Sequence, residues 1–355
     1  MQLYYTLIIH QKLSAYPIRD KVITENQLPL SVIICARNEE RNLVKNLPLV
    51  LEQEYINYEV VVVNDCSSDG SEQVLRQLSL QYPHLKVLTI EEHNRYKHGK
   101  KFAVTLGIKA AKNELLLFTD ADCWPAGKQW LRIMSSNFIA GTQIVLGYSP
   151  YQKLSGFINN LIRFETFFTA LNYLSFALSG QPYMGVGRNL AYTKSLFFKG
   201  KGFASHMHIL SGDDDLFVNQ NATHSNTVIE IHPDAQVWSE PKNSFKNYFK
   251  QKLRHQGAGR MYKNAHKLTL TLQAGSAIVF YTGLIILIIC DVQLLFILGL
   301  YFFRLVTQLV IYFKIFKKLN CFDLLWWFPA LDFIYYFYML ALSIITIFKK
   351  NIEWK

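Results

Sequence analysis

The sequence predicts an α/β domain on a parallel, doubly wound sheet, followed by helices that cross a membrane. Three observations carry this. Short β-branched runs alternate with helical stretches through about the first 240 residues. Polar, carboxylate-rich segments follow directly on those runs. From residue 268 to 348 only Asp291, Arg304, Lys314, Lys317, Lys318, Asp323 and Asp332 carry charge. Composition agrees. Of 355 residues 50% are apolar and 18% charged, with 25 Phe and 20 Tyr, which excludes a disordered chain. A mean hydropathy of +0.10 is high for a purely soluble protein.

The first strand is Leu30–Ala36 (LSVIICA), too apolar on both faces to be anything but buried. Residues 39–54 repeat Leu43, Leu47 and Leu51 at helical spacing. A second buried strand covers 59–64 (EVVVVN), a helix 70–82, a third strand 86–90, a helix 100–112 and a fourth strand 115–119 (LLLFT). In such a sheet ligands bind outside the carboxyl ends of the strands, so the residues just after each strand matter most.

Beyond the α/β part, residues 272–290 carry no charge and are long enough to cross a bilayer core. Residues 292–313, interrupted by Arg304 and Gln308, form a second span, and 324–348 a third, with Asp332 inside and Pro329 near its start. The expected organisation is a membrane-proximal segment 1–29, a catalytic domain 30–240, a basic interface segment 241–267, two to three spans over 268–348 and a tail 349–355. Residues 242–267 hold eight Lys/Arg and no acid, and Lys314, Lys317 and Lys318 follow the second span. Both clusters belong on the cytoplasmic side, with 349–355 breaking the rule if the third segment crosses. Residues 1–10 are apolar but too short to span, and lack a signal-peptide layout. Residues 156–179 are aromatic-rich, with Arg163 and Glu165 inside, and read either as an interfacial helix or as core packing. Arg304 is either a lipid-phosphate ligand, a partner for Asp332 or a snorkelling side chain.

The net charge of +11 favours acidic partners. With spans following the basic stretch directly, anionic lipid and phosphate-bearing substrates are expected and nucleic acid is not. Five Cys without close pairing exclude a disulfide framework and a CxxC zinc site, and suit a reducing compartment.

Acids cluster after the strands: Arg37-Asn38-Glu39-Glu40 after the first, Asp65 after the second, and Asp120-Ala121-Asp122 after the fourth. Carboxylates held close call for a cation, and a hard divalent ion is the natural one. In an extended Asp-x-Asp both side chains point the same way, so that both face one ion, or one faces an ion and the other a ribose. His98-Gly99-Lys100-Lys101 opens a helix, where an amino end and a lysine suit phosphate, without the spacing of a P-loop. Ser211-Gly212-Asp213-Asp214-Asp215-Leu216 reads either as helix capping or as the source of a general base. His206 and His208 lack further metal ligands nearby in sequence.

Taken in order, these pieces resemble glycosyltransferase family 2: Arg37-Asn38-Glu39-Glu40, VNDCSSDGS (63–71), GKKFAVTLGI (99–108), FTDADCWP (118–125), GVGRNLAY (185–192) with GKGF (200–203), GDDDL (212–216) and QKLRH (251–255). The resemblance runs from about Leu30 to Arg260. It is nearest the membrane-anchored synthases of cellulose, hyaluronan, poly-N-acetylglucosamine and glucosylceramide. It implies a GT-A (Rossmann-like) fold and inverting, metal-dependent transfer from a nucleotide-diphosphate sugar, commonly a UDP-sugar, to a lipid-linked or saccharide acceptor. By position it implies that Ala36, Asn38, Glu39, Asp65, Lys100 and Asp120 bind the nucleotide-sugar and that Asp122 ligates Mg²⁺ or Mn²⁺. Asp213, or alternatively Asp214, matches the catalytic base, and Gln251, Arg254 and His255 the Q-x-x-R-W motif near diphosphate and acceptor. An integral protein of the plasma or inner membrane with a cytoplasmic catalytic domain follows. Two positions depart from the pattern: Asn64 stands for the usual first Asp, and His255 for the Trp of polymerising members. The second departure weighs against a processive synthase. A non-catalytic nucleotide-sugar sensor would bind without turnover, and the retained Asp122 and Asp213 weigh against it.

Overall fold

The computed structural model describes residues 1–18, 27–91, 99–139, 141–209 and 211–348, with the backbone alone at 254–256, 347 and 348. The chain divides into two compact units. One comprises Ile18–Gln152 and Gly180–Pro241, the other Met1–Pro17, Lys153–Ser179 and Lys242–Lys355.

The first unit is built on a seven-stranded sheet. Its strands are β1 (Leu30–Ala36), β2 (Tyr58–Asp65), β3 (Leu85–Ile90), β4 (Leu115–Asp120), β6 (Ile144–Gly147), β7 (Leu190–Thr193) and β8 (Thr227–Glu230); β5 (Cys123–Pro125) and β9 (Val237–Ser239) pair separately. The order is β3-β2-β1-β4-β7-β6-β8. The expected all-parallel sheet is corrected on one half. β1 to β4 are parallel, but β7 runs antiparallel to both β4 and β6. The first four strands are joined by helices of 11 or 12 residues, the crossovers that parallel pairs require. A long helix, Phe157–Leu178, lies between β6 and β7 in the chain, yet the two strands are antiparallel, and the four residues of β7 carry no sign of direction.

The parallel half packs as its composition demands. Val60 to Val63 have no exposed surface, and Val32 and Ile33 are equally buried. The helix Lys100–Ala110 covers β1 and β2 and approaches closely because Gly107 has no side chain: a Cβ there would lie 2.8 Å from Ile33 Cγ2 and 3.2 Å from Val63 Cγ2. That approach fixes the helix start, and with it Lys100, above the carboxyl edge of the sheet.

The register aligns that edge. Ala36 pairs with Asn64, Cys35 with Asp120, and Asp65 with Ile90. The chain adds β2 and β3 on one side of β1 and then β4 on the other. The topological switch therefore falls between β1 and β4, where a doubly wound sheet opens a ligand crevice.

In the second unit three helical segments are long and apolar enough to cross a membrane: Asn264–Ile289, Leu294–Lys318 and Phe322–Thr346. The first begins earlier than hydropathy alone places it. Arg304 is paired. Its Nη2 lies 2.7 Å from Asp332 Oδ2, its Nη1 donates to the Tyr281 hydroxyl, and that hydroxyl donates to Asp332 at 2.5 Å. Of the readings open for Arg304, the Asp332 pair is the one formed. The helix Phe157–Leu178 also belongs to this unit, its Arg163 forking onto Asp323 with two bonds of 2.7 Å. At the amino end Lys318 Nζ donates to the carbonyls of Leu13, Ser14 and Tyr16.

Candidate active site

Three strand ends and one loop build the crevice. Its walls include Ile33 and Cys35 of β1, Phe118 to Asp120 of β4, Tyr192 of β7, Lys100, Gly187, Asp213 and Asp214. Phe118 stacks on Tyr192 at 4.4 Å and gives the crevice an aromatic floor.

Lys100 is the hub. Its Nζ lies 2.9 Å from Asp120 Oδ1 and 3.3 Å from Asp213 Oδ2. Burial works against its charge, but Asp120, Asp213 and Asp214 together outweigh burial and hold its pKa well above that of an ordinary lysine. Acids far apart in sequence thus share one cation at the mouth of the switch point.

Asp122 sits beside this hub in the turn that separates β4 from β5, not in an extended segment. The expected i, i+2 alignment is corrected, because the strand ends at Asp120. The turn nevertheless brings ligand atoms of Asp120, Asp122 and Cys123 within 4.8 Å of one another. The Cys123 thiol donates to Asp122 Oδ1 at 3.3 Å, and burial, reinforced by Asp122, pushes its pKa well above normal. Asp120 and Asp122 contribute two carboxylates to this group. Hard oxygen donors of this kind suit Mg²⁺ or Mn²⁺ better than a soft metal.

Asp214 is the amino cap of the helix Asp215–Asn221. Its Oδ1 accepts from Asp215 N–H, and its Oδ2 accepts from Gly187 N–H at 2.6 Å. Gly187 is needed there, since a Cβ would stand 3.1 Å from that carboxylate. Burial, then the charge of Asp213, raises the Asp214 carboxyl to about 6. The capping reading of the acid run is therefore correct for Asp214, while Asp213 faces Lys100.

Of the remaining expected residues, Ala36 and Asp65 end their strands at the same edge. Asp65 is buried, and its Oδ1 has no protein partner among the described residues; Asn64 Oδ1 is alike. Buried oxygens of this kind ask for a ligand. Asn38 and Glu39 tie the β1 loop to the β2 loop. Asn38, at φ 56°, accepts from Ser68 N–H at 2.7 Å, and Glu39 N–H donates to Ser71 Oγ. Asn38 tolerates this left-handed backbone better than most residues. Gln251 lies on the helix Phe245–Gly259 of the other unit, and the side chains of Arg254 and His255 lie outside the described residues, as does His98. His206 is buried, and its Nδ1 bonds the Ser205 hydroxyl at 2.9 Å.

Two residues escaped the sequence reading. Lys101 is 3% exposed, and its Nζ donates to the carbonyls of His206 and Ile209 at 2.6 and 3.0 Å. It anchors the loop that leads into Asp213. Arg188 stands in the GVGRN segment, with its guanidinium 4.3 Å over the Tyr151 ring. A single charge next to Lys100, or inside a glycine-rich turn, gives no periodic signal.

The family model for glycosyl transferase family 2 matches residues 31–198, which contain Asp65, Lys100, Asp120 and Asp122. Residues 31–198 are a glycosyltransferase family 2 segment. Glycosyltransferase AglE of Haloferax volcanii is 38% identical over 119 residues, 33% of this chain and 37% of that protein. A 4,4'-diaponeurosporenoate glycosyltransferase of Staphylococcus haemolyticus is 28% identical over 145 residues, 38% of this chain and 37% of its own length. The matched stretch thus spans little more than a third of these curated relatives. Among solved structures, mannosyltransferase PcManGT of Pyrobaculum calidifontis, in complex with GDP-Man and Mn²⁺, is similar over 99% of this chain and 95% of its own. The TM-score is 0.64 at 16% identity, a likeness of fold. The family 2 domain here is accordingly a GT-A domain, with a mixed rather than a parallel sheet.

Proposed function

We propose that this protein is a membrane-bound inverting glycosyltransferase. It moves one sugar from a nucleotide-diphosphate sugar to a lipid-linked or saccharide acceptor. The observation that carries the reading is Lys100 held between Asp120 and Asp213, with Asp122 adjoining, at the switch point of the sheet.

Asp120 and Asp122 are the residues that would hold Mg²⁺ or Mn²⁺, and such an ion supplies positive charge to a departing diphosphate. That the solved mannosyltransferase PcManGT carries GDP-Man and Mn²⁺ is consistent with this donor class. Ala36, Asn38, Glu39 and Asp65 form the wall for the nucleoside. Lys100 turns from its carboxylates to the diphosphate and stabilises the charge that builds there. Asp213, released from Lys100, takes the proton of the acceptor hydroxyl at a carboxylate oxygen. Attack from the face opposite the leaving group inverts the anomeric carbon. Asp214 is the second reading for the base, favoured by its carboxyl raised to about 6, near the working range of a general base. Gln251, Arg254 and His255 are assigned to the diphosphate and acceptor end. The basic clusters at 242–267 and 314–318 support a cytoplasmic catalytic domain at a plasma or inner membrane.

The test incubates membranes holding the full chain with labelled nucleotide-sugars, with and without Mn²⁺. One labelled sugar per acceptor, dependent on the cation, is the expected product. A ladder of products would favour a processive synthase, and binding without transfer would favour a sensor.

A further inference from the structure

The donor site as assembled above leaves one strong charge unused. The Arg188 guanidinium is stacked over Tyr151, and its Nη2 donates to the Ser149 carbonyl at 3.2 Å. Its Nη1 is buried and has no partner among the described residues. No carboxylate there comes within ion-pair distance of it, although Asp122 and Asp120 are near enough to favour its charge. A buried guanidinium N–H with an unmade bond is costly, and a pair with either acid would relieve the cost. The fold withholds that pair.

The backbone that carries Arg188 is held rigidly. Asn189, next to it, is fully buried and donates to the carbonyls of Tyr148 and Ala235 at 2.8 Å, while accepting from the Trp130 indole at 3.0 Å. Gly187, on its other side, holds Asp214. The guanidinium is thus pre-positioned, with two acids reserved for a cation and one N–H reserved for an anion. A ligand that brings cation and anion together meets both needs, and a metal-bound diphosphate is that ligand.

We propose that Arg188 is a donor-binding residue whose free Nη1 donates to an oxygen of the nucleotide's diphosphate. The assignment rests on the glycosyltransferase reading above and adds to it a second fixed cation beside Lys100. A charge-assisted bond of this kind is worth about tenfold or more in affinity.

The experiment measures binding of UDP, GDP, ADP and TDP to the purified full chain with Mn²⁺, over a range of KCl, for wild type, Arg188→Met and Arg188→Lys. For the diphosphate that wild type binds, R188M should bind about tenfold or more weakly and show a flatter dependence on KCl, because one charge contact is gone. R188K should fall between, since an ammonium cannot reproduce the fork. Unliganded R188M should melt within a few degrees of wild type; should it fail to fold, R188K decides alone. Unchanged affinity overturns the proposal and leaves the glycosyltransferase reading standing. Weaker binding with an unchanged salt slope also overturns it, since that marks a purely structural role. If wild type binds none of the four diphosphates, the donor reading itself fails, and the Arg188 assignment with it.

Discussion

Lys101→Met is the most informative change outside the crevice walls. Lys101 Nζ ties the carbonyls of His206 and Ile209, and so fixes the approach of the loop to Asp213. Two bonds from a charged donor are worth about 1.5–3 kcal/mol each. Removing the ammonium also relieves the cost of burying it, several kcal/mol, which already pulls the Lys101 pKa below its ordinary value. The Ile209 carbonyl then loses this partner, at about 1–3 kcal/mol, while the His206 carbonyl keeps the Ile209 N–H at 3.1 Å. The net loss of stability should be about 2–4 kcal/mol, seen as a lower unfolding midpoint of the full chain. The larger effect should fall on turnover, because a shift of about 1 Å in a reacting group costs about a hundredfold. Donor affinity should stay within about threefold, since Lys100, Asp120 and Asp122 stand on the strand ends and the helix start. The assay pairs donor binding with initial transfer rate. Wild-type turnover in a folded K101M protein would refute the claim that this anchor positions the base.

Asp214 predicts a pH signature. A carboxyl whose folded pKa is raised to about 6 makes the native state bind the extra proton between about pH 4 and 6. Stability should therefore fall as pH rises through that window, by about 2–3 kcal/mol, and Asp214→Asn should flatten the curve of unfolding midpoint against pH. At the metal site Asp122→Asn should abolish Mn²⁺-dependent donor binding in calorimetry. Cys123→Ser should keep it within about twofold, because two carboxylates supply the hard donors that Mn²⁺ prefers. In the apolar unit either Arg304→Met or Asp332→Leu alone should cost about 3–5 kcal/mol in detergent, by stranding a buried charge. The double change should restore most of that loss in the same melts.

Much of this architecture was legible in the chain. Apart from Ser31, Glu59 and Asn64, the runs LSVIICA and EVVVVN are apolar on both faces, so each had to be a strand buried on both faces. Carboxylates placed directly after such strands had to meet at one edge. Asp-Ala-Asp was visible for that reason, and the acid run at 213–215 as three adjacent acids before an apolar stretch. What stayed hidden was decided by distant contacts. β7 is antiparallel because of its neighbours, and its own four residues carry no sign of direction. The bond that Gly187 N–H donates to the Asp214 carboxylate, 27 residues away, leaves no mark in the sequence. Lys101 looks like a second copy of Lys100 in sequence, yet one step along the helix turns it to a different wall. Arg188 sits in a turn whose composition suggests only flexibility, and its isolation from the nearby acids is a property of three dimensions.

The central claim is that Asp213 acts on the acceptor while the sheet edge and its cation hold the donor. Donor affinity and single-turnover transfer, measured together for wild type and Asp213→Asn with Mn²⁺ present, test it most directly. The account predicts transfer reduced by a thousandfold or more, in the range set by loss of a general base, with donor affinity changed less than about fivefold. Transfer retained in the Asn variant, or donor binding lost in step with transfer, would contradict it.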